Sequence, residues 1–124
     1  MTKLILVTGG NGRFAKILKK KNKILNLRFL SKKDLNILDT NSIEKNIIKY
    51  KPKIILHTAA LSRPMAIHNT DITKSINLNI IGTANIVKLC EKYRVKLIYF
   101  STGYVYECTK GNYRESDPVK PINN

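Results

Sequence analysis

Two stretches of the chain carry side chains or bare backbone suited to binding and catalysis. Thr8-Gly9-Gly10-Asn11-Gly12-Arg13-Phe14-Ala15 follows an uninterrupted apolar run, residues 4–7, and leads into Phe14, Ala15, Ile17 and Leu18 at helical spacing. The pattern is strand, glycine turn, helix. Two registers overlap, Gly10-x-Gly12-x-x-Ala15 and Gly9-x-x-Gly12-x-x-Ala15. In either, residues without side chains let the backbone turn sharply and approach a pyrophosphate, which would sit on the free N–H groups and positive end of the helix. Ala15, small in place of a last glycine, keeps helix and strand close. The second place is Ser101-Thr102, at the end of another apolar segment. A hydroxyl there can polarise a carbonyl undergoing hydride transfer. A Ser-Thr pair at a strand end can equally tie down its own turn.

These residues need elements to position them, and the pattern supplies four strands. The first helix is expected over residues 12–21, stopping at Asn22, and the second strand over 25–30. Ser31, Lys32 and Lys33 follow directly. In dinucleotide folds an acidic residue at this strand end holds the adenosine ribose, and a basic one accommodates a 2′-phosphate. A hydroxyl and two ammonium groups therefore favour NADP over NAD, with Asp34 able to reach the ribose if the strand runs longer. Residues 34–39 read as a loop, and Ser42 with Glu44 as the opening of a second helix that Pro52 follows. The third strand is 54–58, followed by Ala59 and Ala60, small enough to let a flat ring or ribose lie against the backbone. His57, inside that strand, reads as a packed histidine rather than a base. Residues 61–69 look like a loop carrying Arg63, Pro64 and His68. One long helix is expected from Ile72 to about Tyr93, with Gly82 marking close helix packing, and the fourth strand is 95–101. Strand and helix alternating with short connections imply an α/β fold, a Rossmann-like doubly wound parallel sheet.

Composition narrows the classes. The 124 residues suffice for one domain. No apolar run approaches the ~18 residues of a membrane span, and nothing reads as a secretory signal, so the expectation is a cytoplasmic protein with no membrane partner. Cys90 and Cys108 show no metal spacing and are expected to stay reduced. Lys and Arg number 23 against 8 Asp and Glu, a formal charge of +15. The cations are mostly Lys, scattered over every expected helix; only Lys16 with Lys19 to Lys23 is dense, where it opposes the negative end of the first helix. That distribution reads as solvated surface with nonspecific, salt-sensitive polyanion binding rather than a nucleic-acid site.

Taken together, the segments resemble the extended short-chain dehydrogenase/reductase superfamily over the whole chain. Thr8 to Ala15 is similar to its Thr-Gly-x-x-Gly-x-x-Gly turn, which makes Gly9, Gly12, Arg13 and Phe14 cofactor-binding candidates. Asp34-Leu-Asn-Ile-Leu-Asp39 is similar to the segment that contacts the adenine, here through Asn36 and Ile37. His57-Thr-Ala-Ala60, Asn79-Ile-Ile-Gly-Thr83, Ser101-Thr-Gly-Tyr-Val-Tyr106 and Glu115-x-Asp-Pro118 fall in the family's order. The resemblance adds Ser31, Lys32, Ala59, Ala60 and Ser101 to the cofactor set and assigns Thr102 to catalysis. Within the superfamily, the Ser-Thr-x-Tyr-Val segment and the Pro121-Ile-Asn-Asn124 ending look most like dTDP-4-dehydrorhamnose reductases. The loop after the basic strand end also looks like GDP-fucose synthases.

Two positions depart from the pattern. Gly103 stands where the reductases have Asp. The family's Tyr-x-x-x-Lys, in which lysine lowers the pKa of a proton-transferring tyrosine, would be expected after Asn124. Tyr106 and Lys110 have that spacing, but they directly follow the fourth strand without a helical pattern and are not expected to replace it. The resemblance thus implies a truncated NAD(P)-binding domain over 1–124, inactive alone. Its expected partner is a nucleotide-sugar substrate once a carboxyl-terminal lobe is supplied, with a homo-oligomer left open. Alternatives in other classes are a noncatalytic nucleotide-binding or regulatory module and a basic nucleic-acid-binding domain.

Overall fold

In a computed structural model, which describes residues 3–107 and 109–121, four short strands form one parallel sheet. They are β1 (Ile5–Val7), β2 (Leu27–Phe29), β3 (Ile54–His57) and β4 (Lys96–Tyr99), in the order β2-β1-β3-β4. Register is set by Ile5 opposite Leu27 and Ile54, and by Ile54 opposite Lys96. The chain leaves β1 toward one edge and returns at β3 toward the other, so the crossover changes direction between β1 and β3. At such a switch the carboxyl ends of neighbouring strands diverge and leave a crevice.

Alternation along β1 divides the core, because successive side chains point to opposite faces. Leu6 joins Ile55 beneath two helices, α2 (Thr40–Tyr50) and α5 (Gly82–Lys92), in a cluster with Ile43, Ile47, Ile86, Leu89 and Cys90. Val7 is fully buried with Ala15 of α1 (Arg13–Lys21), which lies on the other face. Lys19, Lys20 and Lys21 fill the last turn of α1, where positive charge opposes the helix dipole. Cys90 is buried and reduced, and burial pushes its thiol up to about 11. Cys108 and the Ile122-Asn123-Asn124 end of the expected motif lie outside the described residues.

Several boundaries differ from expectation for local reasons. The second strand begins at Leu27 because the Asn22 carboxamide holds Leu25 in a turn, accepting from its N–H at 2.9 Å and donating to its carbonyl at 2.7 Å. The second helix starts at Thr40, not at Ser42. The Asp39 carboxylate caps it by accepting from the Asn41 N–H at 2.9 Å, and the Ser42 hydroxyl accepts instead from the Asn36 N–H. The 61–69 loop ends in a short helix, α3 (Ile67–Thr70). The expected single helix from Ile72 is α4 (Ile72–Ile76), a π-helical turn (Asn77–Ile81) and then α5. Because the π turn inserts extra backbone, the Ile72, Ile76, Ile80 stripe faces solvent while Gly82, Ile86, Leu89 and Cys90 face the core. Gly82 does pack closely: a Cβ there would stand 2.6 Å from Ile37 Cδ1.

The glycine turn depends on two close backbone approaches. Gly9 adopts φ +67°, and a Cβ on it would lie 2.8 Å from the Ala59 Cα, while one on Gly10 would lie 2.9 Å from the Leu30 nitrogen. Both contacts are with backbone, which cannot swing aside. Beneath the turn, Thr8 Oγ1 accepts from the Thr58 and Ala59 N–H groups, each at 3.1 Å. Its single hydrogen then goes to His57 Nδ1 at 2.8 Å, which leaves the ring proton on Nε2, facing Thr83 Oγ1 at 3.2 Å. A neutral His57 thus bolts β1, β3 and α5 together, in keeping with the packed role its strand position implied. Its burial holds the ring pKa down to about 4.

Two outcomes follow. Gly9→Ala destabilises the domain by about 2–4 kcal/mol, through left-handed strain plus a backbone clash, measurable as a lowered denaturant midpoint with unchanged m. For His57, the unfolded chain takes up a proton below the ordinary value of 6.5 while the folded chain does not until about 4. Stability is therefore level above pH 6.5 and falls by up to about 3 kcal/mol as pH drops toward 4. His57→Asn, which keeps an acceptor for Thr8, flattens that slope in denaturant titrations at pH 7 and pH 4.5; an unchanged slope would assign it to other groups.

Candidate functional site

Two clefts open where the strands diverge, one on each side of the glycine turn. The first, about 290 Å³, is walled by Gly9, Asn11 and Gly12 from the turn, Lys32 beyond β2, residues 35–37, residues 58–60 beyond β3, and Leu78. Seven nominated residues thus converge there: Gly9, Gly12, Lys32, Asn36, Ile37, Ala59 and Ala60. Four others escaped sequence reasoning. Asn11 and Thr58 sit inside motifs that were recognised. Leu35 is the buried neighbour of Asn36. Leu78 left no signal, because only the π turn carries it to the cleft.

The 35–37 wall is built by hydrogen bonds from polar side chains to backbone. Ser42 Oγ accepts from the Asn36 N–H at 3.1 Å, Asn36 Oδ1 accepts from the Leu38 N–H at 3.1 Å, and Asn85 Nδ2 donates to the Ile37 carbonyl at 3.0 Å. Ile37, 5% exposed, rests in the notch that Gly82 leaves. Asp34 does not join this wall. Its carboxylate accepts from the Ser31 N–H at 2.9 Å and the Ser31 hydroxyl at 2.6 Å, and these bonds hold its pKa below the ordinary carboxylate value. The same turn engages Ser31, which does not line the cleft. Among the described residues, Lys32 is the single ionisable one in the cleft's walls.

The second cleft is bounded by residues 12–15 of the turn and α1, by Thr58 and Ala60, and by residues 61–65. Arg13 and Phe14 lie here, and Phe14 meets Phe100 edge-on at 5.0 Å between ring centroids. Asn79 in the π turn secures the facing loop by imitating a strand partner. Its Oδ1 accepts from the Leu61 N–H at 2.8 Å and its Nδ2 donates to the Leu61 carbonyl at 2.9 Å. The two clefts share Gly12, Thr58 and Ala60, so they meet above the amino end of α1. Gly12 caps that helix without a side-chain hydrogen bond, so its first N–H groups stay free for a ligand.

Ser101 and Thr102 follow β4 at the same edge of the sheet but line neither cleft. Thr102 Oγ1 accepts from the Tyr104 N–H at 3.1 Å, capping a 3-10 turn (Gly103–Val105), and its hydrogen remains available to donate. Gly103 has open space around it. Tyr106 stacks on Tyr113 and donates to the Arg114 carbonyl, while Lys110 pairs with Asp117 at 3.3 Å, both away from the clefts. Among the described residues no group of His, Cys, Asp and Glu could hold a metal ion, and no helix is long and apolar enough to cross a membrane.

Comparison with known proteins matches this geometry. A family model described as the RmlD substrate binding domain matches residues 2–124. A crystal structure of dTDP-4-dehydrorhamnose reductase from Bacillus anthracis in complex with NADP superposes with a TM-score of 0.87 at 26% identity, over 99% of this chain and 44% of that one. A Thermus thermophilus UDP-glucose 4-epimerase structure in complex with NAD shares the fold, with a TM-score of 0.82 at 22% identity over 97% and 45%. Methionine adenosyltransferase 2 subunit beta from Bos taurus is 35% identical over 89 residues, 72% of this chain and 26% of that protein. The chain therefore spans about a quarter of such curated relatives and less than half of the solved structures. On the family match, the parallel sheet and the glycine turn, the chain belongs to the RmlD substrate-binding-domain family, within the extended short-chain dehydrogenase/reductases.

Proposed function

We propose that these residues form the NADP-binding half of a nucleotide-sugar reductase or epimerase. The observation that carries the reading is the meeting of two clefts over the uncapped amino end of α1. A dinucleotide is a diphosphate with a nucleoside on each side. Ile37, Leu78 and Ala59 of the first cleft would hold the adenosine half. Gly12 and the bare N–H groups after it would hold the diphosphate, and Phe14 and Ala60 would border the nicotinamide half in the second cleft. Lys32, with Asp34 turned away onto Ser31, supports the 2′-phosphorylated form.

When bound, the cofactor supplies a hydride. The protein's own residues hold it and shape what lies above it: Thr58 and Ala60 leave room against the backbone, and the Thr102 hydroxyl would donate to a keto oxygen and stabilise negative charge developing there. The resemblance gives proton transfer to a Tyr-x-x-x-Lys pair that residues 1–124 do not supply in matching context. We therefore infer that this segment alone binds dinucleotide and turns over little, and that it binds polyanions in a salt-sensitive way through its excess lysine.

A second reading, a noncatalytic module serving another enzyme, is favoured by the relatives named as a subunit of methionine adenosyltransferase. Both readings require cofactor binding; they part on turnover of a dTDP-4-keto sugar by the protein supplied with whatever further chain it has. NADPH fluorescence titration is the first test. Saturable binding that persists at 0.5 M salt supports the dinucleotide reading, and no binding refutes it. Lys32→Glu is expected to weaken NADPH roughly tenfold or more while leaving NADH equal or tighter, because it sets a carboxylate where a phosphate would lie. Equal losses for both cofactors would remove Lys32 from the 2′-phosphate.

A further inference from the structure

The proposed dinucleotide carries negative charge at two points, the 2′-phosphate and the central diphosphate, and the clefts carry positive charge at two points. Lys32 accounts for the first. At the second, Arg13 and Arg63 are the only ionisable residues among the described residues around the second cleft, which has no carboxylate in its walls. The ion pairs among the described residues use Lys92, Lys110 and Lys120, so neither guanidinium has an acidic partner there. The chain has 18 lysines and 5 arginines, yet two of those five line this one cleft. Guanidinium presents a planar fork of donors that matches phosphate oxygens in pairs, where ammonium offers a point charge.

Resting on the dinucleotide reading above, we propose that Arg63 is a cofactor-binding residue that closes over the diphosphate from the side opposite the glycine turn, with Arg13 completing the clamp. Its placement is built into the fold. Asn79 fixes the Leu61 backbone through both of its polar groups, and the loop that Leu61 begins carries Arg63 along the cleft that Gly12 borders. The turn's N–H groups serve one side of the diphosphate and the guanidinium the other, so its charge is neutralised without any side-chain cap on α1.

The test compares NADPH with adenosine 2′-monophosphate, which can fill the first cleft but has no phosphate at the 5′ position where the diphosphate begins. Binding of each is measured by calorimetry to wild type, Arg63→Ala and Arg63→Lys. Arg63→Ala should weaken NADPH roughly tenfold or more and the 2′-monophosphate less than twofold, with Arg63→Lys recovering part of the loss. Equal effects on both ligands, or none on NADPH, would overturn the clamp while leaving the dinucleotide reading intact. Failure of both ligands to bind wild type would overturn the dinucleotide reading itself. Circular dichroism and thermal melts matching wild type keep a folding defect from imitating the result, since Arg63 is exposed.

Discussion

The hydroxyl of Thr8 ties the end of β1 to the exit of β3 and so fixes the glycine turn against the sheet. It stands where β1 stops, fully buried, and spends its full bonding capacity across the β1–β3 junction: two backbone donors from β3's exit and one imidazole acceptor. Thr58 returns the favour by donating its hydroxyl to the Thr8 carbonyl at 2.6 Å. Buried polar groups are costly unless every member is satisfied, so this network has one arrangement that works and many that do not. That arrangement presses Gly9 onto Ala59. A strand end held less firmly would let the turn drift from the sheet and close the crevice that both clefts share.

Away from that junction, carboxamides do much of the positioning. Asn22 makes the turn before β2, Asn46 donates to the carbonyls of Asp34 and Ser42, Asn79 grips Leu61 and Asn85 grips Ile37. An asparagine side chain offers one acceptor and two donors with the geometry of a peptide group. It can therefore satisfy backbone in a loop where no strand or helix neighbour exists. An Asn-rich sequence read only as compositional bias hides this. Two of these amides, Asn79 and Asn85, hold the backbone of residues that line the clefts, Leu61 in the second and Ile37 in the first.

What the sequence made legible was what short-range patterns encode. Segments rich in apolar residues marked all four strands, the glycines marked a turn whose reason is visible in the Gly9 and Gly10 approaches, and Ala59 and Ala60 marked a place where bulk is excluded. Boundaries and faces were harder. Ser42 looked like a helix cap because it precedes Ile43, but Asp39 captured that role and released Ser42 to the loop. The stripe Ile72, Ile76, Ile80 kept helical phase perfectly and still faces outward, because phase is counted at 3.6 residues per turn and the π turn breaks the count. No local pattern announces such a turn. The same insertion hid Leu78, so one irregularity accounts both for a misplaced helix face and for a missed cleft residue.

The scarcity of acid bears on the site as directly as the abundance of lysine. Of eight carboxylates, Asp34, Asp39, Asp71 and Asp117 accept from backbone N–H groups in turns and caps, and Glu44 and Glu107 pair with Lys92 and Lys120. Local structure thus takes up six of them, and none reaches either cleft. The clefts are left with Lys32, Arg13 and Arg63 and no opposing charge. A cleft with low-dielectric walls concentrates the field of the charges that line it, whereas the lysines spread over the outer surface are screened within about 8 Å at physiological salt. A net charge of +15 by itself describes a sticky surface. The withdrawal of every acid from one crevice is what turns part of that charge into a site shaped for an anion.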